Sequence, residues 1–190
     1  MPTDVQHAVI GFPGGIRASL RWTGSGGAAA VFALTETGGT LEDHGLLVGS
    51  DPDRRCRAEM RVESPAGIWT ARLASTISDA PAGLYWDTEG LLILKYGFHV
   101  YAFDARVGTL RWHHRSASPI VVVLGSSRLA HILMQAEIET FALEPTGEVG
   151  WRVAHSDVVA EAELVGGRLV LTSFAGEIRA LDPATGRGAH

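Results

Sequence analysis

A short pattern of an acidic turn, a glycine and then a tryptophan recurs in the second half of the chain. Its copies span residues 102–112, 142–151 and, without the tryptophan, 180–186. The acidic residues Asp104, Glu144 and Asp182 lie 40 and then 38 residues apart. A fixed period of this length is typical of stacked units that cannot bury their apolar faces alone. The sequence therefore predicts a repeat protein of about four units.

Each part of the pattern has a physical role in a turn. An acidic side chain at the end of a strand can accept hydrogen bonds from the backbone N–H groups of the turn. Glycine supplies the positive φ that reverses the chain, and tryptophan is a large apolar anchor in the next strand. The residues predicted to form this structural repeat are Trp22, Trp69, Asp104, Gly108, Trp112, Glu144, Gly147, Trp151, Asp182 and Gly186.

Continuous apolar runs precede each turn. They lie at residues 90–94, 120–124, 128–134 and 168–171. Unbroken runs, as opposed to alternation, indicate strands that are covered on both faces. Helical periodicity is absent, and glycines interrupt every candidate helix. These observations predict an all-β fold of four-stranded units.

The pattern Ala-x-Asp-x-x-Thr-Gly-x-x-x-Trp resembles the repeat of quinoprotein-like (pyrroloquinoline-quinone-type) β-propellers. The resemblance covers residues 84–187, with two departures. Val107 replaces the threonine in one copy, and residues 142–151 are one residue short and carry Glu144 in place of the aspartate. The resemblance implies a small β-propeller. The spacing of the tryptophans, one per blade, predicts blades at about 23–69, 70–112, 113–151 and 152–190. It says little about a ligand.

The last predicted blade lacks a fourth strand. Residues 19–22 resemble residues 109–112, so the segment at about 15–22 is predicted to complete that blade and close the ring. Closure would remove an open sheet edge. The alternative is an open half-propeller that closes by dimerisation. The segment 45–48 echoes residues 90–93 and is predicted to start a strand of the first blade.

Composition excludes several classes of partner. The chain of 190 residues has a net charge of −5, which gives no general attraction to nucleic acid. It has no apolar run long enough for a membrane span, and its start lacks the features of a secretory signal. With Cys56 as the single cysteine, no internal disulfide can form. We therefore expect a cytoplasmic protein, monomeric or homodimeric, without nucleic-acid or membrane partners.

Several local patterns are better explained as structure than as chemistry. The glycine-rich segment 24–29 fits a dinucleotide motif but precedes a predicted strand where that motif needs a helix. The segment 51–55 begins like a calcium loop but carries arginine at a ligand position. Cys56 has no partner at a metal-ligand spacing. Glu161 and Glu163 share one face of a strand and are expected at a solvated rim. No catalytic residue, metal site or cofactor is predicted.

One end of the predicted blades carries most of the remaining imidazole and aromatic groups. In an up-and-down blade, the turns between strands two and three and the loops between blades emerge at the same end. The residues predicted there as a recognition face are Tyr96, Phe98, His99, His113, His114, His155 and Asp157. Adjacent His113 and His114 should point to opposite faces of a strand, which argues against a shared metal.

The function expected from the sequence is a non-catalytic binding or assembly module that recognises a protein partner through loops at one end. Resemblance to quinone-dependent dehydrogenases leaves a small propeller enzyme or cofactor-binding protein as the alternative. A third possibility is a segment of a larger assembly that uses open sheet edges to pair with another chain.

Overall fold

The computed structural model describes residues 5–24, 43–44 and 56–189, and all regular elements in these ranges are β-strands. In chain order they are β1 (Gln6–Phe12), β2 (Ile16–Thr23), β3 (Asp43–His44), β4 (Cys56–Ser64), β5 (Gly67–Ser75), β6 (Ala82–Trp86), β7 (Leu91–Tyr96), β8 (His99–Asp104), β9 (Leu110–Arg115), β10 (Ile120–Leu124), β11 (Ile132–Ala136), β12 (Glu139–Leu143), β13 (Val149–Ala154), β14 (Val159–Val165), β15 (Arg168–Ser173) and β16 (Ile178–Leu181).

These strands form four sheets in chain order. The first has the order β1-β2-β4-β5-β3, the second β6-β7-β8-β9, the third β10-β11-β12-β13 and the fourth β14-β15-β16. Neighbouring strands are antiparallel, except that β3 pairs with β5 in parallel. The second and third sheets are complete four-stranded units, as the repeat predicts, and the fourth has three strands.

The hydrophobic core consists of three clusters between successive sheets. The first joins the first and second sheets, the next joins the second and third, and the last joins the third and fourth. Every residue of β7 and β11 is buried, since these inner strands have a neighbouring sheet on both faces. No cluster of the described residues joins the fourth sheet to the first, so the sheets form an open array.

A tryptophan on each of the strands β5, β9 and β13 contacts the turn of the next sheet. The indole Nε1–H of Trp69 donates to the carbonyl of Ala105 at 3.1 Å. The corresponding bonds run from Trp112 to the Pro145 carbonyl and from Trp151 to the Pro183 carbonyl, at 2.8 and 3.2 Å. The indoles lie over the turn glycines Gly108, Gly147 and Gly186, whose φ angles are +78°, +88° and +71°.

Two of the three acidic residues, Asp104 and Asp182, accept hydrogen bonds from their turns. Asp104 accepts hydrogen bonds from the backbone N–H groups of Arg106 and Val107. Asp182 accepts one from the N–H of Ala184 and another from the Thr185 hydroxyl. Glu144 departs from this scheme, because its side-chain oxygen lies beside Gly150, where a Cβ would come within 2.5 Å.

The prediction that residues 15–22 complete the last blade is wrong. Strand β2 pairs with β1 on one side and with β4 on the other, so Trp22 lies opposite Gln6 and Ala58. Trp22 therefore does not share the environment of the other three tryptophans. The reason is local: Gly14 and Gly15 have positive φ and form a tight turn that folds β1 directly onto β2.

The C-terminal edge stays open over most of its length. Strand β16 pairs with β15, and beyond it the described residues form only a bridge between Leu181 and Gly188. The open arrangement, the alternative that the sequence allowed, is thus the one the structure has. The tryptophan-based blade boundaries fall inside strands, because β5, β9 and β13 continue past their tryptophans. The segment 45–48 lies outside the described residues.

Candidate functional site

The predicted recognition residues gather at one end of the sheets, where turns and inter-sheet loops are bonded together. The N–H of Ser116 donates to the carbonyl of Phe98, and the N–H of His155 donates to the carbonyl of Ile138. In the fourth sheet the N–H of Phe174 donates to the carbonyl of Val158. The inter-sheet loops after β9 and after β13 are therefore fixed to the turns beside them. This end is named the histidine rim, and it comprises Phe98, His99, His113, His114, Arg115, Ile138, Arg152, His155, Asp157 and Phe174.

His99 and His113 form a stacked pair on strands β8 and β9. Nδ1 of His99 lies 3.0 Å from Nε2 of His113, and their ring centroids are 5.1 Å apart. The ring of Tyr101 stacks on both. His99 is buried, and desolvation lowers its pKa to about 4, with further lowering from His113 and Arg115. Burial also lowers the pKa of His113. Both rings are therefore neutral at pH 7, and one donates to the other.

His114 lies on the opposite face of β9, as expected for the neighbour of His113. Its ring packs against Phe141 with centroids 5.0 Å apart, and its Nε2 lies 3.4 Å from Nη2 of Arg152. The guanidinium of Arg152 also lies over the Phe141 ring. Desolvation is the main cause that lowers the pKa of His114, and the positive charge of Arg152 lowers it further. His114 thus links the second sheet to the third.

A buried carboxylate, Glu139, organises the centre of the rim. Its Oε1 accepts hydrogen bonds from the Ser116 hydroxyl at 2.8 Å and the Ala117 N–H at 3.1 Å. Its Oε2 lies 3.3 Å from Nε of Arg152. Sequence reasoning missed Glu139 and Arg152, because no short motif connects a glutamate in β12 to a loop 22 residues earlier.

His155 is held by a chain of buried polar groups. Its Nε2 lies 2.6 Å from the hydroxyl of Thr140, and that hydroxyl donates to Oε1 of Gln135 at 2.5 Å. Because the single hydroxyl proton is used by Gln135, Nε2 of His155 carries the proton and donates to Thr140. Burial lowers the pKa of His155, and Arg179 lowers it further. The ring is a neutral donor fixed in orientation.

Asp157 joins the last inter-sheet loop to the β15–β16 turn. Its carboxylate accepts hydrogen bonds from the N–H groups of Val158 and Ala175 at 2.8 and 3.3 Å. The hydrogen bond from Ser173 is the main cause that holds the pKa of Asp157 below its ordinary value. Asp157 also borders an open pocket of about 130 Å³ that includes His155, Glu177 and Arg179.

The predicted recognition residues differ in how far their side chains are exposed to solvent. Tyr96 and His99 are buried, and Tyr96 belongs to the core between the first and second sheets. These two side chains cannot contact a partner directly, and burial raises the pKa of Tyr96. His113 is exposed, whereas Phe98, His114, His155 and Asp157 are partly exposed.

Apolar residues that the sequence did not single out complete the rim. Ile138, in the β11–β12 turn, is 45% exposed, and Phe174, after β15, is 77% exposed. Phe98 occupies the equivalent turn of the second sheet and is partly exposed. The turn between strands two and three thus presents one large apolar side chain in three successive sheets. This repetition is visible in the sequence only once the strands are assigned.

Metal-ligating side chains are not clustered in the described residues. These residues contain no group of three or more His, Cys, Asp or Glu side chains arranged to hold a metal ion. Cys56 is buried. Within the described ranges no helix has the length and apolar character needed to cross a membrane.

A family comparison agrees with the repeat. The family model described as outer membrane protein assembly factor BamB, a PQQ-type repeat model, matches residues 96–190, half of the chain. The chain belongs to this family. None of the curated proteins matches it.

One solved structure supports the fold, and a second is similar at a lower score. The crystal structure of BamB from Moraxella catarrhalis aligns with 70% of this chain and 41% of its own, at 21% identity and a TM-score of 0.50. The Neurospora crassa Pan2 WD40 domain aligns with 72% of this chain and 45% of its own, at 16% identity and a TM-score of 0.48. The chain spans less than half the length of either structure. The BamB likeness shows a β-propeller type of fold, here as an open set of blades.

Proposed function

We propose that the protein is a non-catalytic binding or assembly module that recognises a protein partner through the histidine rim. The observation that carries the proposal is the repeated placement of Phe98, Ile138 and Phe174 at equivalent turns, beside imidazole groups held by buried hydrogen bonds. Apolar anchors surrounded by oriented polar groups are typical of protein interfaces.

Rigidity of the rim supports the proposal. The His99–His113 pair, the Glu139 network and the Thr140–His155 bond fix the imidazoles before any partner arrives. Little side-chain entropy is then lost on binding, which favours affinity. The family description names an assembly factor, and such a role uses interaction surfaces of this kind.

The charge state of the rim favours a particular type of partner segment. His113, His114 and His155 all have lowered pKa values, so they act at pH 7 as neutral hydrogen-bonding groups. The exposed guanidinium of Arg115 lies over the ring of Phe98 and adds a positive charge. We expect a protein segment that offers apolar side chains together with backbone carbonyls or carboxylates.

The experiment is quantitative capture of a partner from native lysate by the tagged protein. The rim variant Ile138→Ser/Phe174→Ser should retain at most a tenth of the partner that the parent protein retains, since these side chains are the exposed apolar anchors. A second variant, His113→Ala/His155→Ala, tests the imidazoles separately.

The matched control is Val107→Ser/Val149→Ser, which removes two exposed valines, 61% and 39% exposed, at the opposite end of the sheets. This control should retain the partner at the parental level. Equal loss in the rim variants and the control, or a parent protein that retains no partner, would contradict the proposal.

A further inference from the structure

In the described part of the chain, the two terminal sheets each have one face on which no other sheet packs. Among the described residues, eight large hydrophobic side chains are exposed, and four of them lie on these two faces. They are Val9 and Ile68 on the first sheet and Val165 and Ile178 on the fourth, with exposed fractions between 53% and 74%. By contrast, every residue of β7 and β11 is buried. The terminal faces therefore carry exposed apolar side chains, although Thr23, Arg57 and Glu59 on the face of the first sheet are buried.

The outer face of the fourth sheet is acidic. The register of β14, β15 and β16 places Glu161, Glu163 and Val165 on the same side as Val170, Thr172, Ile178 and Ala180, with Arg168 at the edge. The opposite side of these strands, including Leu169, Leu171 and Leu181, packs on the third sheet. Two carboxylates and one guanidinium on the outer face give it a net negative charge.

The outer face of the first sheet is basic. Its strand register places five arginines and two glutamates on one side: Arg17, Arg21, Arg57, Arg61, Arg72, Glu59 and Glu63. Arg21 forms an ion pair with Glu59, and Arg61 forms one with Glu63 at 2.5 Å. Arg17 and Arg61 are exposed, next to the exposed Val9 and Ile68. This part of the face therefore combines positive charge with apolar surface.

We propose that the open faces bind a second copy of the chain, the acidic face of each copy packing on the basic face of the other. A two-fold rotation makes both contacts at once, because every copy carries both faces. Opposite charges favour this pairing and disfavour contact between two like faces. The dimer would contain eight sheets, within the range of closed propellers.

The length of the matched BamB structure agrees with this arrangement. The aligned part of this chain covers 41% of that structure, so two copies supply a comparable amount of propeller. Dimerisation would also bury apolar surface that is exposed to water in the monomer. The inference does not depend on the proposed function, since the histidine rim lies at the end of the sheets and not on these faces.

The first measurement is the mass in solution, by light scattering across a range of protein concentrations. A closed dimer has twice the chain mass of 20.2 kDa. A mass of 20.2 kDa that persists at 100 μM or more, a concentration at which dimers with micromolar dissociation constants form, would overturn the proposal.

A charge-swap experiment identifies the contacting faces. The variants Glu161→Arg/Glu163→Arg and Arg17→Glu/Arg61→Glu should each be monomeric, because each places like charges in both contacts. An equimolar mixture of the two variants should recover the dimer, since both of its contacts again join opposite charges. The matched control Arg106→Glu/Arg128→Glu changes exposed arginines in turns away from both faces and should remain dimeric.

Failure of the mixture to recover a dimer, with both variants folded by circular dichroism, would overturn this pairing of faces. A variant on the apolar part, Ile178→Ser, gives an independent readout. It should weaken dimerisation at least tenfold without adding charge, and an unchanged dissociation constant would also count against the proposal.

Discussion

Gly147 lies directly against the indole of Trp112, and this contact recurs at Gly108 and Gly186. Its φ is +88°, and an added Cβ would stand 2.7 Å from Cγ of Trp112. A left-handed conformation costs a non-glycine residue about 1–2 kcal/mol, and overpacking adds about 1–3 kcal/mol. We therefore expect Gly147→Ala to lower the free energy of unfolding by about 2–5 kcal/mol, measured by urea denaturation.

The control for this prediction is Gly176→Ala. Gly176 has nearly the same φ, +83°, but nothing lies within 4 Å of its added Cβ. It should therefore cost only the conformational part, about 1–2 kcal/mol. Equal losses of stability in the two variants would mean that the indole contact contributes nothing.

The lowered pKa of the buried His99 predicts that the stability of the fold depends on pH. Its folded pKa of about 4 is below the ordinary value of 6.5, so the unfolded chain binds a proton in this interval that the folded protein does not. The free energy of unfolding should therefore fall as the pH drops from 6.5 toward 4. The variant His99→Gln should lose less stability than the parent between pH 7 and pH 5.

The direct readout is the NMR titration of the His99 ring. A midpoint near 4 supports the stacked pair, and a midpoint near 6.5 would show that His99 is solvated. An identical loss of stability on acidification in His99→Gln and the parent would contradict the assignment of this dependence to His99.

At the scale of elements, one ion pair fixes the loop between the first and second sheets. Both carboxylate oxygens of Asp79 accept hydrogen bonds from Nζ of Lys95, at 2.9 and 2.8 Å, and one also accepts from the N–H of Gly97. The Lys95 side chain is only 7% exposed. Removing one partner of a buried pair leaves an uncompensated charge, so Asp79→Ala should cost about 3–5 kcal/mol.

The double variant Asp79→Ala/Lys95→Met should recover much of that loss, because no buried charge remains. The control Asp87→Ala removes an exposed aspartate whose carboxylate accepts from the N–H of Thr88, and it should cost no more than about 1 kcal/mol. If the double variant is as unstable as Asp79→Ala, the loss does not come from the stranded lysine.

The sequence predicted elements well where the signal was local. The acidic turns, their glycines and the tryptophans at positions 112 and 151 are short-range patterns, and the strands around them form as the repeat predicts. The prediction from residues 19–22, that they complete the last blade, was wrong although it used the same kind of local pattern. A tryptophan in a strand does not specify which strand is its neighbour, whereas the Gly14–Gly15 turn does.

The rim was predictable in position but not in detail. Strand alternation correctly placed His113 and His114 on opposite faces. The burial of Tyr96 and His99, and the network around Glu139, depend on contacts between sheets that are distant in sequence. No spacing rule encodes such contacts, so these features emerged only from the packed structure.

At the scale of the whole molecule, the chain is an open series of four sheets joined in sequence order. Each junction combines an apolar cluster with an indole hydrogen bond to the following turn. The series has no junction between its ends in the described residues, because the amino-terminal hairpin is used within the first sheet. The exposed apolar side chains on the two terminal faces, and the pairing proposed for these faces, follow from the lack of this junction.

The placement of the amino-terminal hairpin can be measured directly by disulfide trapping in a Cys56→Ser background. Ser19 and Arg61 are cross-strand partners in β2 and β4, and antiparallel partners have Cα separations within the range that a disulfide spans. Cysteines at these two positions should form an intramolecular disulfide under mild oxidation, whereas cysteines at Thr23 and Arg179 should not. A disulfide between positions 23 and 179 within one chain, and none between 19 and 61, would place β2 beside β16 and contradict the open array.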